Sequence, residues 1–161
     1  MKKVLSIVIA LMCLATVFAY RVKLKNSLLS LAKPKLPPAQ QVSNYKTTDK
    51  VPKLANLDIP FASQAPLANW NMPYQEACEE AASIMIHRYF TGEKLTPKIM
   101  DKEILKLVDW ENKTFGYYKD TTAEEIARIM REYFGHKNVT VKYDFTMDDI
   151  RASLSKGHPI I

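Results

Sequence analysis

The stretch LDIPFASQAPLANWNMPYQEACEEAASIMIHRYF, residues 57–90, constrains this chain more than any other part of it. Apolar residues alternate at Leu57, Ile59 and Phe61 as in a short strand, with Pro60 tolerated at an edge position. A loop rich in Pro, Asn and Trp follows, and then a strongly helical run. Pro73 suits a first helical position, and Glu76, Glu79 and Glu80 crowd the first turns, where the helix dipole favours negative charge. Gly92 supplies the stop. Cys78, Ala81, Ala82, Met85 and Tyr89 recur at helical spacing, which predicts that the thiol side faces the interior or a cleft.

Cys78 is the only cysteine outside the N-terminal apolar segment, which holds Cys13, so the pair is no disulfide framework. A thiol in the opening turns of a helix sees unsatisfied backbone N–H groups and the positive dipole end, both of which favour a thiolate. Glu79 and Glu80 oppose this, since nearby negative charge disfavours a second anion, unless one of them points to solvent and serves the dipole. Two readings of Cys78 follow: a catalytic nucleophile, or an inert buried thiol.

Charge is unevenly distributed. Residues 1–57 hold ten Lys/Arg against one acid, Asp49, giving +9; residues 58–161 hold thirteen against sixteen, giving −3. The globular part is mildly acidic, which argues against a nucleic-acid domain and for a basic arm beside a membrane or anionic surface. Residues 1–20 combine Lys2 and Lys3, an apolar run from Val4 to Phe18 and a small residue at Ala19, the pattern of a secretory signal. The run is also just long enough for a retained membrane anchor, and Arg21, Lys23 and Lys25 behind it resist translocation. Both alternatives export the body. Residues 21–56, broken by Pro34, Pro37, Pro38 and Pro52 and otherwise polar and basic, read as a linker.

The domain therefore runs over 57–161. Thr96-Pro97 caps a second helix through Asp109, Thr122-Ala123-Glu124-Glu125 is a capping box for a third that stops at Gly135, and Thr146 caps a short fourth ending at Gly157. Val139–Tyr143 reads as a strand, and Pro159-Ile160-Ile161 opens another. The expectation is an α+β domain whose sheet has barely begun, hence a fragment.

Thiol catalysis needs a base, an orienter for it, and oxyanion donors. His87 lies nine residues beyond Cys78, about 13 Å along the helix and nearly on its opposite side, so it cannot serve. His136, after the Gly135 stop, reads as a solvated cap residue, and no spacing argument brings His158 to the thiol. Gln64, after the first strand, and Gln75, one turn ahead of the thiol, are candidate oxyanion donors; each is equally an ordinary loop amide. No Cys/His metal spacing and no glycine-rich phosphate loop occurs, and the chain has only four glycines, so neither cofactor nor metal is expected.

Several motifs in order, Ile59-Pro60-Phe61, Ser63-Gln64-Ala65-Pro66, Asn69-Trp70, Tyr74–Ala81, Thr121–Ile126 and Gly157–Ile161, resemble the peptidase-like domains related to cysteine peptidase family 39. These are papain-like peptidases that trim double-glycine leaders. The resemblance implies a papain-like α+β fold, incomplete here, with Cys78 as nucleophile and Gln64, or secondly Gln75, at the oxyanion hole. It implies a peptide or protein substrate, and a catalytic histidine and its Asp or Asn on strands beyond residue 161. Ala77-Cys78-Glu79 replaces the Asp-Cys-Gly of leader-trimming members, so leader specificity does not carry over. Two other classes use the same groups: a non-catalytic surface binding module, and a thiol acyltransferase or amidase.

Overall fold

A computed structural model describes Tyr20 and residues 54–161, the latter within one compact unit, Pro37–Ile161. The signal-or-anchor segment and most of the linker lie outside the described residues. Among the described residues, no helix is long and apolar enough to cross a membrane.

Four helices carry the domain: α1 (Cys78–Thr91), α2 (Pro97–Thr114), α3 (Ala123–Arg128), prolonged by a wider π-type turn over Ile129–Tyr133, and α4 (Met147–Leu154). The expected start signals of α2, α3 and α4 are used. The Thr96 hydroxyl accepts from the Ile99 N–H with Pro97 in the first turn, and Thr122 with Glu125 and Thr146 with Asp149 form reciprocal capping boxes. Gly92 closes α1 in the left-handed conformation, φ 69°, its N–H donating to the Arg88 carbonyl. α2 runs five residues past the expected Asp109, to Thr114, with Trp110 packing against the core beyond that point.

The core is a stripe on each helix. Ala77, Ala81 and Ile84 of the α1 side meet Met100, Ile104, Leu107 and Val108 of α2, with Ile129 closing from the turn after α3. Trp110, Phe115, Tyr133 and Phe134 pack around this centre. Burying the Ile, Met, Leu and Val side chains contributes roughly 1.5–3 kcal/mol each, so the α1–α2 contact is the mechanical base on which the Cys78 turn rests.

α1 begins five residues later than Pro73. Tyr74–Glu76 form a tighter 3-10 turn, and Ala77 (φ −106°, ψ 33°) is not helical. The side-chain amide of Gln64 donates to the carbonyls of Tyr74 and Gln75 at 3.0 and 3.3 Å. Those are the carbonyls an unbroken α-helix would offer to the N–H groups of Cys78 and Glu79.

No β-strand occurs among the described residues; Leu57 forms only an isolated bridge. The segments expected as strands, 57–61, 139–143 and 159–161, are irregular. Val139 and Val141 are half-buried while Thr140 and Lys142 are exposed, so the period-2 pattern survives in the side chains. What is missing is a neighbouring ladder for the backbone N–H and C=O groups, without which alternation alone does not make a strand.

Candidate active site

Cys78 is the first residue of α1, and its side chain is exposed rather than turned to the interior. The core-facing positions are Ala77, Glu80, Ala81 and Ile84, while Ala82 and Met85 are half-buried and Tyr89 fully buried. The thiol lies off the buried face of α1, which is formed by Glu80, Ala81, Ile84 and Tyr89 among others. The Cys78 Sγ–H donates to Glu79 Oε2 at 2.8 Å. That hydrogen bond, then partial burial, then the Glu79 charge raise the thiol above its ordinary value, against the lowering effect of the backbone N–H groups of Glu79 and Cys78. The resting sulfur is a neutral thiol.

The loop ahead of it is tightly held. Tyr74 is buried and its hydroxyl donates to Asp101 Oδ1 at 2.6 Å, tying the 3-10 turn to α2. The hydrogen bond to Asp101, then burial, then the Asp101 charge push Tyr74 up to about 12. Gln64 is thus brought to the turn that precedes Cys78, but both of its amide bonds go to main-chain carbonyls. Gln75 sits in the same turn with an exposed side chain.

The histidines are not brought to the thiol. His87 Nδ1 and His136 Nε2 are 3.1 Å apart and share a hydrogen bond. His87 stacks on Phe134, with ring centroids 4.4 Å apart, and His136 packs against Phe90. His136 is therefore half-buried and ring-bonded, not a solvated cap residue, although its backbone N–H does cap the turn by donating to the Met130 carbonyl. His158 is exposed, its backbone joined to Ser153 in a turn after α4.

Sequence reasoning missed the most unusual neighbours of the site, Glu80 and Glu111, which are both wholly buried. A signal existed: Glu80 sits beside Ala77, Ala81 and Ile84 on the α1 stripe, and Glu111 falls four residues after Leu107 on the α2 stripe. Among the described residues, no group of three or more His, Cys, Asp or Glu could hold a metal ion.

The sequence profile described as the Peptidase_C39 like family matches residues 56–161. The chain belongs to that family. Its membership supports a cysteine peptidase, with Cys78 as the one described cysteine available for the role. No curated protein and no solved structure matches the chain. In this C39-like domain the family match covers all four helices and the whole Gln64–Cys78 turn.

Proposed function

We propose that the protein is a thiol peptidase of papain-like α+β architecture, exported or membrane-tethered through its N-terminal segment, that hydrolyses peptide bonds of peptide or protein substrates without a cofactor. The observation that carries this is the position of Cys78 as first residue of α1, with the Gln64 amide docked on the turn before it. The Cys78 thiolate attacks a peptide carbonyl carbon, the C–S bond forms, and the carbonyl electron pair moves to oxygen. Gln64 and a first-turn backbone N–H stabilise that oxyanion. Collapse expels the amine, which takes up a proton, and water then releases the acyl group from sulfur.

Two resting contacts must change first. Gln64 has to give up one carbonyl, and the longer 3.3 Å bond to Gln75 is the one to yield. The thiol proton, held toward Glu79 Oε2, has to be taken off the sulfur by another group. A base of near-neutral pKa is needed, and neither His87 nor His136 fills that place.

The second reading is a surface binding module on the same fold, favoured by the carboxylate that keeps Cys78 protonated. A peptidyl vinyl sulfone separates the two, since it traps a thiol beside a peptide-binding cleft without needing turnover. The peptidase reading expects adduct at Cys78, saturating with peptide concentration and absent in Cys78→Ala. Labelling that never saturates and is no faster than with a small alkylating agent overturns it.

A further inference from the structure

Glu80 and Glu111 are each 0 % exposed. Among the described residues, all four carboxyl oxygens are buried and none is paired by another residue's N–H, hydroxyl or cation; only the backbone N–H of Glu80 acts on its own carboxylate. Glu80 lies beside Ala81 and Ile84, and Glu111 beside Leu107 and Val108, on the stripes that pack together, so the two meet across the α1–α2 contact and act on each other. An ionised carboxylate can only accept. Two of them side by side in the core, with no donor from another residue and no countercharge, is the arrangement that burial penalises most. One proton removes the conflict, because it turns one carboxyl into the donor that the other lacks.

Among the described residues, the surroundings supply no countercharge. The charged groups that act on the pair are Glu79 from α1 and Glu125 from α3, and Tyr118 of the α2–α3 loop senses both Glu80 and Glu76. All are acidic or neutral. The described Lys and Arg ion pairs go elsewhere, Arg88 to Glu93 and Glu103 and Arg128 to Glu132 among them.

We propose that Glu80 and Glu111 share one proton at neutral pH, and that this carboxyl–carboxylate clasp seats the first turn of α1, and with it Cys78, on α2. The two are positioning residues: they act on Cys78 through the helix and not on substrate. Their importance for catalysis rests on the peptidase reading; the clasp itself does not. Burial is the largest cause raising both, Glu80 to about 7 and Glu111 to about 9 from 4.5. The folded protein therefore keeps protons that the unfolded chain releases. The stabilisation is complete below the ordinary Glu value and is lost as pH rises through those two values, when the last shared proton passes to solvent.

The test follows thermal unfolding and Cys78 alkylation by iodoacetamide from about pH 6.5 to about pH 9.5 in the full chain, Glu111→Gln and Glu111→Ala. The native chain should lose at least ~5 °C in Tm over that range. Glu111→Gln carries a permanent N–H donor for Glu80, so its Tm should fall by less than half as much. Glu111→Ala supplies no donor and should melt lower throughout. Alkylation of the native protein should climb more steeply at alkaline pH than thiol ionisation alone allows, and Glu111→Gln should restore a single-thiol curve. A Tm independent of pH, or the same slope in Glu111→Gln, overturns the clasp. Should the variants not fold, infrared difference spectra of the native chain between neutral and alkaline pH decide instead: no protonated-carboxyl stretch at neutral pH overturns it. Absence of vinyl sulfone adduct at Cys78 would remove the peptidase reading and leave these curves as they are.

Discussion

The Cys78 thiol and the Glu79 carboxylate form a 2.8 Å hydrogen bond within the first turn of α1, sulfur donating and carboxylate accepting. Position and partner pull the sulfur in opposite directions. The helix start offers N–H groups that favour a thiolate, while the adjacent carboxylate is stabilised only by the protonated thiol. The carboxylate prevails at rest, so an exposed thiol is kept less reactive than its place in the helix would make it.

Glu79→Gln should reverse that balance. Removing the charge and the anionic acceptor lowers the Cys78 pKa, and each unit of lowering raises the thiolate fraction at neutral pH roughly tenfold. Iodoacetamide alkylation followed against pH is the measurement. The midpoint should move down in the variant, and an unmoved or higher midpoint contradicts the role given to Glu79.

How much of this was legible beforehand depended on whether the cause was local. Thr96, Thr122 and Thr146 act within three residues of themselves, and all three caps are where the sequence puts them. The start of α1 was misplaced because its cause is Gln64, ten residues from the Tyr74 carbonyl it occupies. Glu80 reads locally as a helix-dipole carboxylate, and only its position on the apolar stripe shows that it turns inward toward α2. The bonding of His136 to His87 spans 49 positions and leaves no trace in spacing. The strand segments kept their alternation, but pairing is a property of two segments and cannot be read from one.

Tyr74→Phe tests whether the turn ahead of the thiol is held by side chains. The change deletes a 2.6 Å hydrogen bond to a carboxylate while keeping the buried ring. A hydrogen bond to a charged group contributes about 1.5–3 kcal/mol, so the urea midpoint should fall with an unchanged m-value. Phenolate absorbance of the native protein should show one tyrosine titrating near 12 that is lost in the variant.

Arg88→Ala should be the most damaging single change on the α1–α2 rim. The guanidinium bonds Glu93 beyond the helix end and Glu103 on α2, with only 13 % of its side chain exposed. Truncation leaves Glu103, which is largely covered, without its cation, at a cost of about 2–3 kcal/mol. Arg88→Lys reaches one carboxylate but cannot fork to two, so it should recover less than the full loss. Equal Tm values for Lys and Arg at this position would show that the fork is unimportant.

The His87–His136 pair makes the fold less stable toward acid pH. Burial lowers both rings below the ordinary value, and at His87 the nearby His136 and Arg88 charges lower it further. In the folded protein the rings stay neutral where the unfolded chain binds protons, so their contribution is full above 6.5, the ordinary value, and is lost as pH falls below it. The Glu80–Glu111 pair slopes the other way, gaining stability as pH falls, so the native curve alone would partly hide the histidines. The difference between the native chain and His136→Gln isolates them. The amide can keep a hydrogen bond to His87 but cannot titrate, and it leaves His87 without a second ring to repel its charge. The Tm difference should therefore shift in favour of the variant as pH drops from about 7 to about 5. A difference that stays constant over that interval would mean that the pair does not couple proton binding to folding.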